Sequence, residues 1–150
     1  MEKIVGDFLI EINSKQTIEG KCDNINLTTE GKYFYRNGEY CISYTEYDDD
    51  DPSIFTNNMV KVSTKRNTIT VLRNNQTCKN ASRMILELNT RHNCYYETPL
   101  GCLMIGIYTN TINFTLDNNG GVAHASYTLD CNDMLMSENE ITLKIKRKGV

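Results

Sequence analysis

The stretch Gly31–Glu46, GKYFYRNGEYCISYTE, decides how this chain is read. Two runs rich in tyrosine and apolar residues, Tyr33–Arg36 and Tyr40–Glu46, flank the dipeptide Asn37-Gly38. Asn-Gly accepts the two positive φ angles of a type I′ turn, whose twist matches that of paired strands. Between alternating runs it predicts a β-hairpin. Within the second run Tyr40, Ile42, Tyr44 and Glu46 share one face. Gly31, which opens the stretch, is expected to mark a bend, because glycine inside a strand pattern allows a corner.

Outward from this hairpin the same theme repeats. Phe8, Ile10 and Ile12 alternate with Leu9, Glu11 and Asn13, and Ile25, Leu27 and Thr29 resume the alternation before Gly31. After the hairpin, Tyr47–Phe55 holds Asp48, Asp49, Asp50, Asp51 and Pro52. These carboxylates lack the ligand spacing, glycine turn and distal glutamate of a calcium loop, so a solvated hairpin tip is expected. Met59–Ser63 and Ile69–Arg73 read as short strands joined near Lys65-Arg66-Asn67, and Asn74–Ala81 as a polar loop. Met84, Leu86 and Leu88 alternate as a strand does, although so short a run also fits a short helix. Thr90–Asn93 is read as the next turn, and Cys94–Glu97 leads to Pro99.

A second hairpin spans Leu100–Asp130. Leu103, Ile105 and Ile107 have one parity, and Ile112, Phe114 and Leu116 the other. A period of two changes parity only through a bulge or bend, which places one near Thr109–Thr111. Asn118-Asn119-Gly120-Gly121 is expected to turn the chain and Val122–Asp130 to return. Met134–Asn139 reads as a loop, and Ile141, Leu143 and Ile145 as the last strand. The sum is an all-β chain, an antiparallel up-and-down meander of about eight to ten strands closed into a barrel. A two-sheet sandwich is the alternative.

With 150 residues the chain is expected to be a single domain, 1–150. Its net charge of -3 gives no reason to expect a polyanion, so nucleic acid is an unlikely partner. Lys144 and Lys146 alternate with Leu143 and Ile145 as a solvent face does. The N-terminal MEKIVGDFLIEINSKQ holds neither the unbroken apolar core of a secretory signal nor a membrane span. No membrane association and a cytoplasmic location are therefore expected. In a reducing compartment Cys22, Cys41, Cys78, Cys94, Cys102 and Cys131 are read as buried free thiols, since no CxxC pair occurs. His92 with Cys94, and the distant His124, lack the further spaced ligand a zinc site requires. No metal, no cofactor and no catalytic residue is assigned.

In order and spacing the chain resembles the YwiB-like proteins, small bacterial β-barrels grouped as a domain of unknown function and related in fold to the lipocalins. The matching residues are Gly31 and Tyr33; Tyr44 and Glu46 as Y-x-E; Val60-Lys61-Val62-Ser63; and Val71-Leu72-Arg73. Farther on come Tyr96, Thr98, Pro99 and Gly101 as Y-x-T-P-x-G, then Thr109, and Gly121 to Tyr127 ending at Leu129. The resemblance implies a calycin-type barrel, a cytosolic location and occurrence in low-GC Gram-positive bacteria; it implies no activity. Asn74 follows Arg73 where the family often has glycine, and asparagine tolerates the same positive φ. The Gly-x-Trp signature of true lipocalins is absent, which speaks against a lipocalin-like apolar ligand.

Four residues are singled out as ligand-binding: Tyr44, Glu46, Arg73 and Tyr127. Glu46 shares parity with Ile42 and Tyr44, and Arg73 with Ile69 and Val71, so both charges are aimed inward or at the rim. An inward charge requires a partner, which for Glu46 and Arg73 is either each other or a ligand group; the other reading places both at strand ends, at the rim near solvent. Tyrosine can pack its ring while its hydroxyl faces a lumen. The leading expectation is a non-enzymatic barrel that binds a small molecule in its lumen. A protein-interaction or homodimerising module, using an edge strand or an outer face with Phe34, Ile85 and Met104, is the alternative. A hydrolase-type enzyme on a phosphate-bearing or acyl substrate is the lesser one, because no clustered carboxylates and lysines appear.

Overall fold

The structure is a computed structural model that describes residues 8–75, 82–98, 101–132 and 134–149. Among these residues the chain forms ten strands and no helix. They are β1 (Phe8–Ile18), β2 (Lys21–Arg36), β3 (Glu39–Tyr47), β4 (Phe55–Ser63), β5 (Thr68–Asn75), β6 (Ser82–Glu87), β7 (Arg91–Thr98), β8 (Gly101–Asp117), β9 (Gly120–Cys131) and β10 (Met134–Arg147). Every ladder is antiparallel, in the order β6-β5-β4-β3-β2-β1-β10-β9-β8-β7. The first strand pairs with the last, so the meander wraps round on itself. Among the described residues no ladder joins β6 to β7; the gap is spanned by the bridge Leu88↔Thr109 to β8, by the Asn89 amide donating to Thr109 O at 2.9 Å, and by Glu87 Oε1 meeting His92 Nε2 at 2.8 Å. This is a nearly closed barrel.

Two strands carry the curvature. β2 pairs through Lys21–Gly31 with β1 and through Lys32–Arg36 with β3, and the change of partner falls at Gly31. A methyl group there would overlap Ile10 Cδ1 and stand 2.5 Å from the carbonyl oxygen of Ser43. Gly31 is thus the expected corner, and its cause is close approach of two strands. β8 makes the second turn of the wall, with a register shift between Thr109 and Thr111. The extra residue returns Ile112, Phe114 and Leu116 to the face that Ile105 and Ile107 leave, as their parity requires.

The hairpin at Asn37-Gly38 has φ angles of 53° and 82°, as the type I′ reading demands. The aspartate-rich tip is a hairpin loop between Tyr47 and Phe55, capped by Asp48 and Asp51 carboxylates that accept nearby backbone amides. Inside the barrel Phe8, Ile10, Ile12, Tyr33, Ile42, Val60, Val62, Ile69, Leu86, Ile107, Ala123, Ala125, Leu143 and Ile145 form one contiguous core. Tyr33 closes its end, packing edge-on against Phe8 at 5.1 Å and donating to Asp117 O at 2.6 Å.

Several local expectations are corrected. Met134–Asn139 is strand, not loop: β10 begins at Met134 and bulges between Leu135 and Ser137. Beyond that bulge Ser137 and Asn139 continue the inward parity of Ile141 and Leu143, and their polarity hides the pattern. The turn before β7 is Asn89-Thr90 rather than Thr90–Asn93. Gly120 and Gly121 open β9, where added Cβ atoms would overlap the carbonyl oxygens of Ile145 and Thr115, so the turn is Asn118-Asn119. Met84–Glu87 is strand as expected, not helix, with Leu86 buried, and Leu88 lies just beyond β6 in an isolated bridge. The polar loop read at Asn74–Ala81 starts later, since Asn74 and Asn75 end β5, and residues 76–81 lie outside the described residues. Cys22 is exposed rather than buried, because among the described residues its part of β2 has a strand on one side only. Cys41 and Cys94 are buried and Cys131 half-buried; none of these four cysteines forms a disulfide. Cys78 and the Cys102 side chain lie outside the described residues, as do the Tyr96 and Thr98 side chains and Pro99.

Candidate functional site

Opposite the Tyr33 end, the inward side chains turn from apolar to polar. On β3, β4 and β5 the register sets Tyr44 beside Asn58 and Asn58 beside Arg73. On β8, β9 and β10 it sets Thr109 beside Tyr127 and Tyr127 beside Asn139. Each trio is a cross-strand row, in which directly opposed residues share a face. The alternation that sends Ile42, Val60 and Val71 into the core on one wall brings Tyr44, Asn58 and Arg73 to its polar end. The alternation through Ile107, Ala125 and Ile141 does the same on the other.

In the first row Asn58 is 3% exposed and donates from Nδ2 to Glu46 Oε1 at 3.0 Å and to Thr56 O at 3.3 Å. Glu46 Oε1 also meets Arg73 Nη2 at 3.5 Å. Glu46 and Arg73 therefore meet, and they meet at the rim, with side chains 37% and 53% exposed. An ion pair so placed is screened by water and adds little to stability. Its length leaves the guanidinium able to engage another acceptor, since a well-made charge-assisted bond is shorter.

The phenols report the same neighbourhood. Burial pushes the Tyr44 hydroxyl up to about 12; the Glu46 carboxylate adds to the rise, and the Arg73 guanidinium opposes it. Burial also raises Tyr127, and there too Arg73 pulls the other way. One guanidinium on β5 thus acts on a tyrosine from each wall. The structure brings all four sequence-designated residues, Tyr44, Glu46, Arg73 and Tyr127, into one electrostatic neighbourhood at the barrel mouth.

Sequence reasoning missed Asn58, Ser137 and Asn139, and it named Thr109 only as a bulge position and a family match, not as part of this polar end. Asn139 donates to Ser137 Oγ at 2.9 Å, while the fully buried Thr109 hydroxyl has no hydrogen-bond partner among the described residues. The signal lies in parity, for Asn58 alternates in step with Val60 and Val62. Elsewhere His92 Nε2 lies 2.8 Å from Glu87 Oε1 and His124 Nε2 lies 3.4 Å from Glu140 Oε1, on different elements. Among the described residues no three His, Cys, Asp or Glu side chains gather as a metal site would. The basic C-terminal strand is engaged within the fold: Lys146 pairs with Glu11, Lys148 with Glu30, and Arg147 sits 5.0 Å over the Phe8 ring. Among the described residues no helix is long and apolar enough to cross a membrane.

The model of the domain of unknown function DUF1934 matches residues 10–143. The chain belongs to that family. Among solved structures it is similar to the ywiB protein from Bacillus subtilis, with a TM-score of 0.77 and 18% identity over 93% of this chain and 90% of that one. At that identity the likeness concerns the fold, and it agrees with the YwiB-like resemblance drawn from the sequence. No curated protein matches the chain. Within DUF1934, then, the polar mouth has to be read from its own chemistry.

Proposed function

We propose that this barrel is a non-enzymatic binder, taking at its mouth a small molecule that carries a carboxylate-like acceptor group. The observation that supports the reading is the cross-strand row that sets Arg73 beside the buried Asn58 and Asn58 beside Tyr44, with the Arg73 charge opposing the burial shift at Tyr44 and at Tyr127. A half-exposed guanidinium offers several donors in a planar fork, and Glu46 occupies it only loosely. The two desolvated phenols stay protonated far above neutral pH, so they serve as further donors toward the same acceptor. Asn58 fixes Glu46 from beneath, and Glu46 in turn can receive an N–H or O–H of the ligand. Side chains fill the opposite half of the barrel, so the ligand's place is the polar half and not the whole lumen. A cytoplasmic setting suits the free thiols, which an oxidising compartment would tend to pair.

Native mass spectrometry on chain purified without denaturation from a bacterial cytosol tests the reading. The expected result is a reproducible small adduct on the wild type that is lost in Arg73→Ala and weakened in Tyr127→Phe. Rebinding at a hundredfold excess over Kd would stabilise the fold by about 2.7 kcal/mol. A bare chain in every preparation, together with no thermal stabilisation by a panel of small carboxylates, would overturn it.

A further inference from the structure

We propose that the chain forms a symmetric dimer through the free edge of β2, which pairs with the same edge of a second copy. The register shows the edge. Lys21–Gly31 of β2 pairs with β1, whereas β3 pairs only with Lys32–Arg36. Among the described residues Lys21–Glu30 therefore has no strand on its outer side. The β1–β2 ladder runs through this stretch without a bulge, and the stretch contains no proline. Its charges are Lys21, Asp23 and Glu30, leaving Asn24–Thr28 uncharged. Sheet proteins blunt exposed edges with lysine, proline, bulges or shortness. The centre of this edge uses none of them, and Ile25 stands 67% exposed on it.

The direction of its hydrogen bonds follows from the two turns that bound β1–β3. Glu19-Gly20 and Asn37-Gly38 are both two-residue turns with positive φ at each position, so the pairs that close them, Ile18–Lys21 and Arg36–Glu39, are hydrogen-bonded pairs. Counting back along the ladder from Lys21, the odd-numbered residues of β2 bond to β1. Counting from Arg36, the even-numbered residues point toward β3. Both turns give the same phase. Where β3 is missing, Cys22, Asn24, Asn26, Thr28 and Glu30 present their N–H and C=O groups to the outside.

A two-fold axis through Asn26 satisfies all of these groups at once. In that register Asn26 faces its own copy, Asn24 faces Thr28, Cys22 faces Glu30, and the apolar Ile25 faces Leu27 on the same side of the joined sheet. No two like charges stand directly opposite one another, an arrangement that would be penalised. The edge is self-complementary, as an isologous interface must be. A second copy of this chain is therefore the occupant.

Two variants and one exchange measurement test it. Asn26→Pro removes an outward N–H while the β1 ladder stays intact, a placement that edge strands tolerate. Asn26→Asp sets two carboxylates face to face and keeps the oxygen that accepts from Asn13 Nδ2. Analytical ultracentrifugation should show a wild-type dimer, with each variant remaining folded and dissociating at about tenfold higher Kd or more. In the wild type, amide exchange at Asn24, Asn26 and Thr28 should slow as protein concentration rises. A wild-type monomer throughout, or a dimer unaffected by both variants, would overturn the inference. So would exchange at these amides that ignores concentration.

Discussion

Gly31→Ala isolates the packing that makes the barrel turn its corner. The φ of Gly31 lies outside the left-handed region, so alanine there meets no intrinsic backbone penalty. The cost comes from contact. The new methyl overlaps Ile10 Cδ1 and stands 2.5 Å from the backbone oxygen of Ser43. Ile10 is wholly buried, so its side chain can yield only by leaving its rotamer. Ser43 belongs to the last β2–β3 pair, so its carbonyl can yield only by opening the ladder where β2 changes partner. Overpacking of this kind costs about 2 kcal/mol, and for a chain of this size that lowers Tm by about 4–8 °C. Calorimetry beside Gly20→Ala supplies the control. Gly20 has φ +79° with nothing within 4 Å of an added Cβ, so its loss is conformational alone, about 1 kcal/mol. Combining Gly31→Ala with Ile10→Val should recover part of the loss, a favourable coupling of about 1 kcal/mol. A Gly31→Ala effect no larger than that of Gly20→Ala, with no recovery in the double variant, would refute the reasoning.

Thr109→Val removes a buried hydroxyl that has no partner among the described residues while keeping the shape. Chemical denaturation should show a gain of about 1 kcal/mol, and a loss would mean the hydroxyl is satisfied. A double-mutant cycle on Glu46 and Arg73 should give a coupling of about 0.5 kcal/mol that shrinks with added salt, and zero coupling would contradict the contact. Tyr33, Tyr44 and Tyr127 are all raised above the ordinary value of 10.0, chiefly by burial. Each proton is held more tightly in the folded chain. The stability this gives is fully present below the unfolded value and is lost as pH climbs toward the folded one, about 12 for Tyr44. Unfolding followed by phenolate absorbance should therefore show stability falling above pH 10.0. A flat profile there would contradict the burial of these phenols.

Much of the fold is legible in the sequence because period-two alternation is a geometric statement. The opposite parities of Ile105–Ile107 and Ile112–Leu116 require the bulge at Thr109–Thr111. The shared parity of Ile42, Tyr44 and Glu46, and of Ile69, Val71 and Arg73, sets Tyr44, Glu46 and Arg73 on the face that turns inward. What stays hidden depends on polar residues facing inward or on where ladders end. Asn58 and Asn139 look like turn formers, and only their partners on neighbouring strands make them part of a row. The strand from Met134 is masked by its bulge before Ser137. That the Arg73 charge acts on Tyr127 follows from closing the barrel, and the lack of a strand outside Lys21–Glu30 among the described residues follows from where β3 stops; neither is a local property of the chain.

The convergence of both walls at the mouth can be measured directly by titrating ring-labelled tyrosines by NMR in the wild type and in Arg73→Met. Arg73 opposes the burial shift at Tyr44 and at Tyr127. Removing its charge should therefore raise both phenols further, while Tyr33 at the other end stays where it is. A rise at Tyr44 alone would place Tyr127 beyond reach of Arg73 and contradict the shared site.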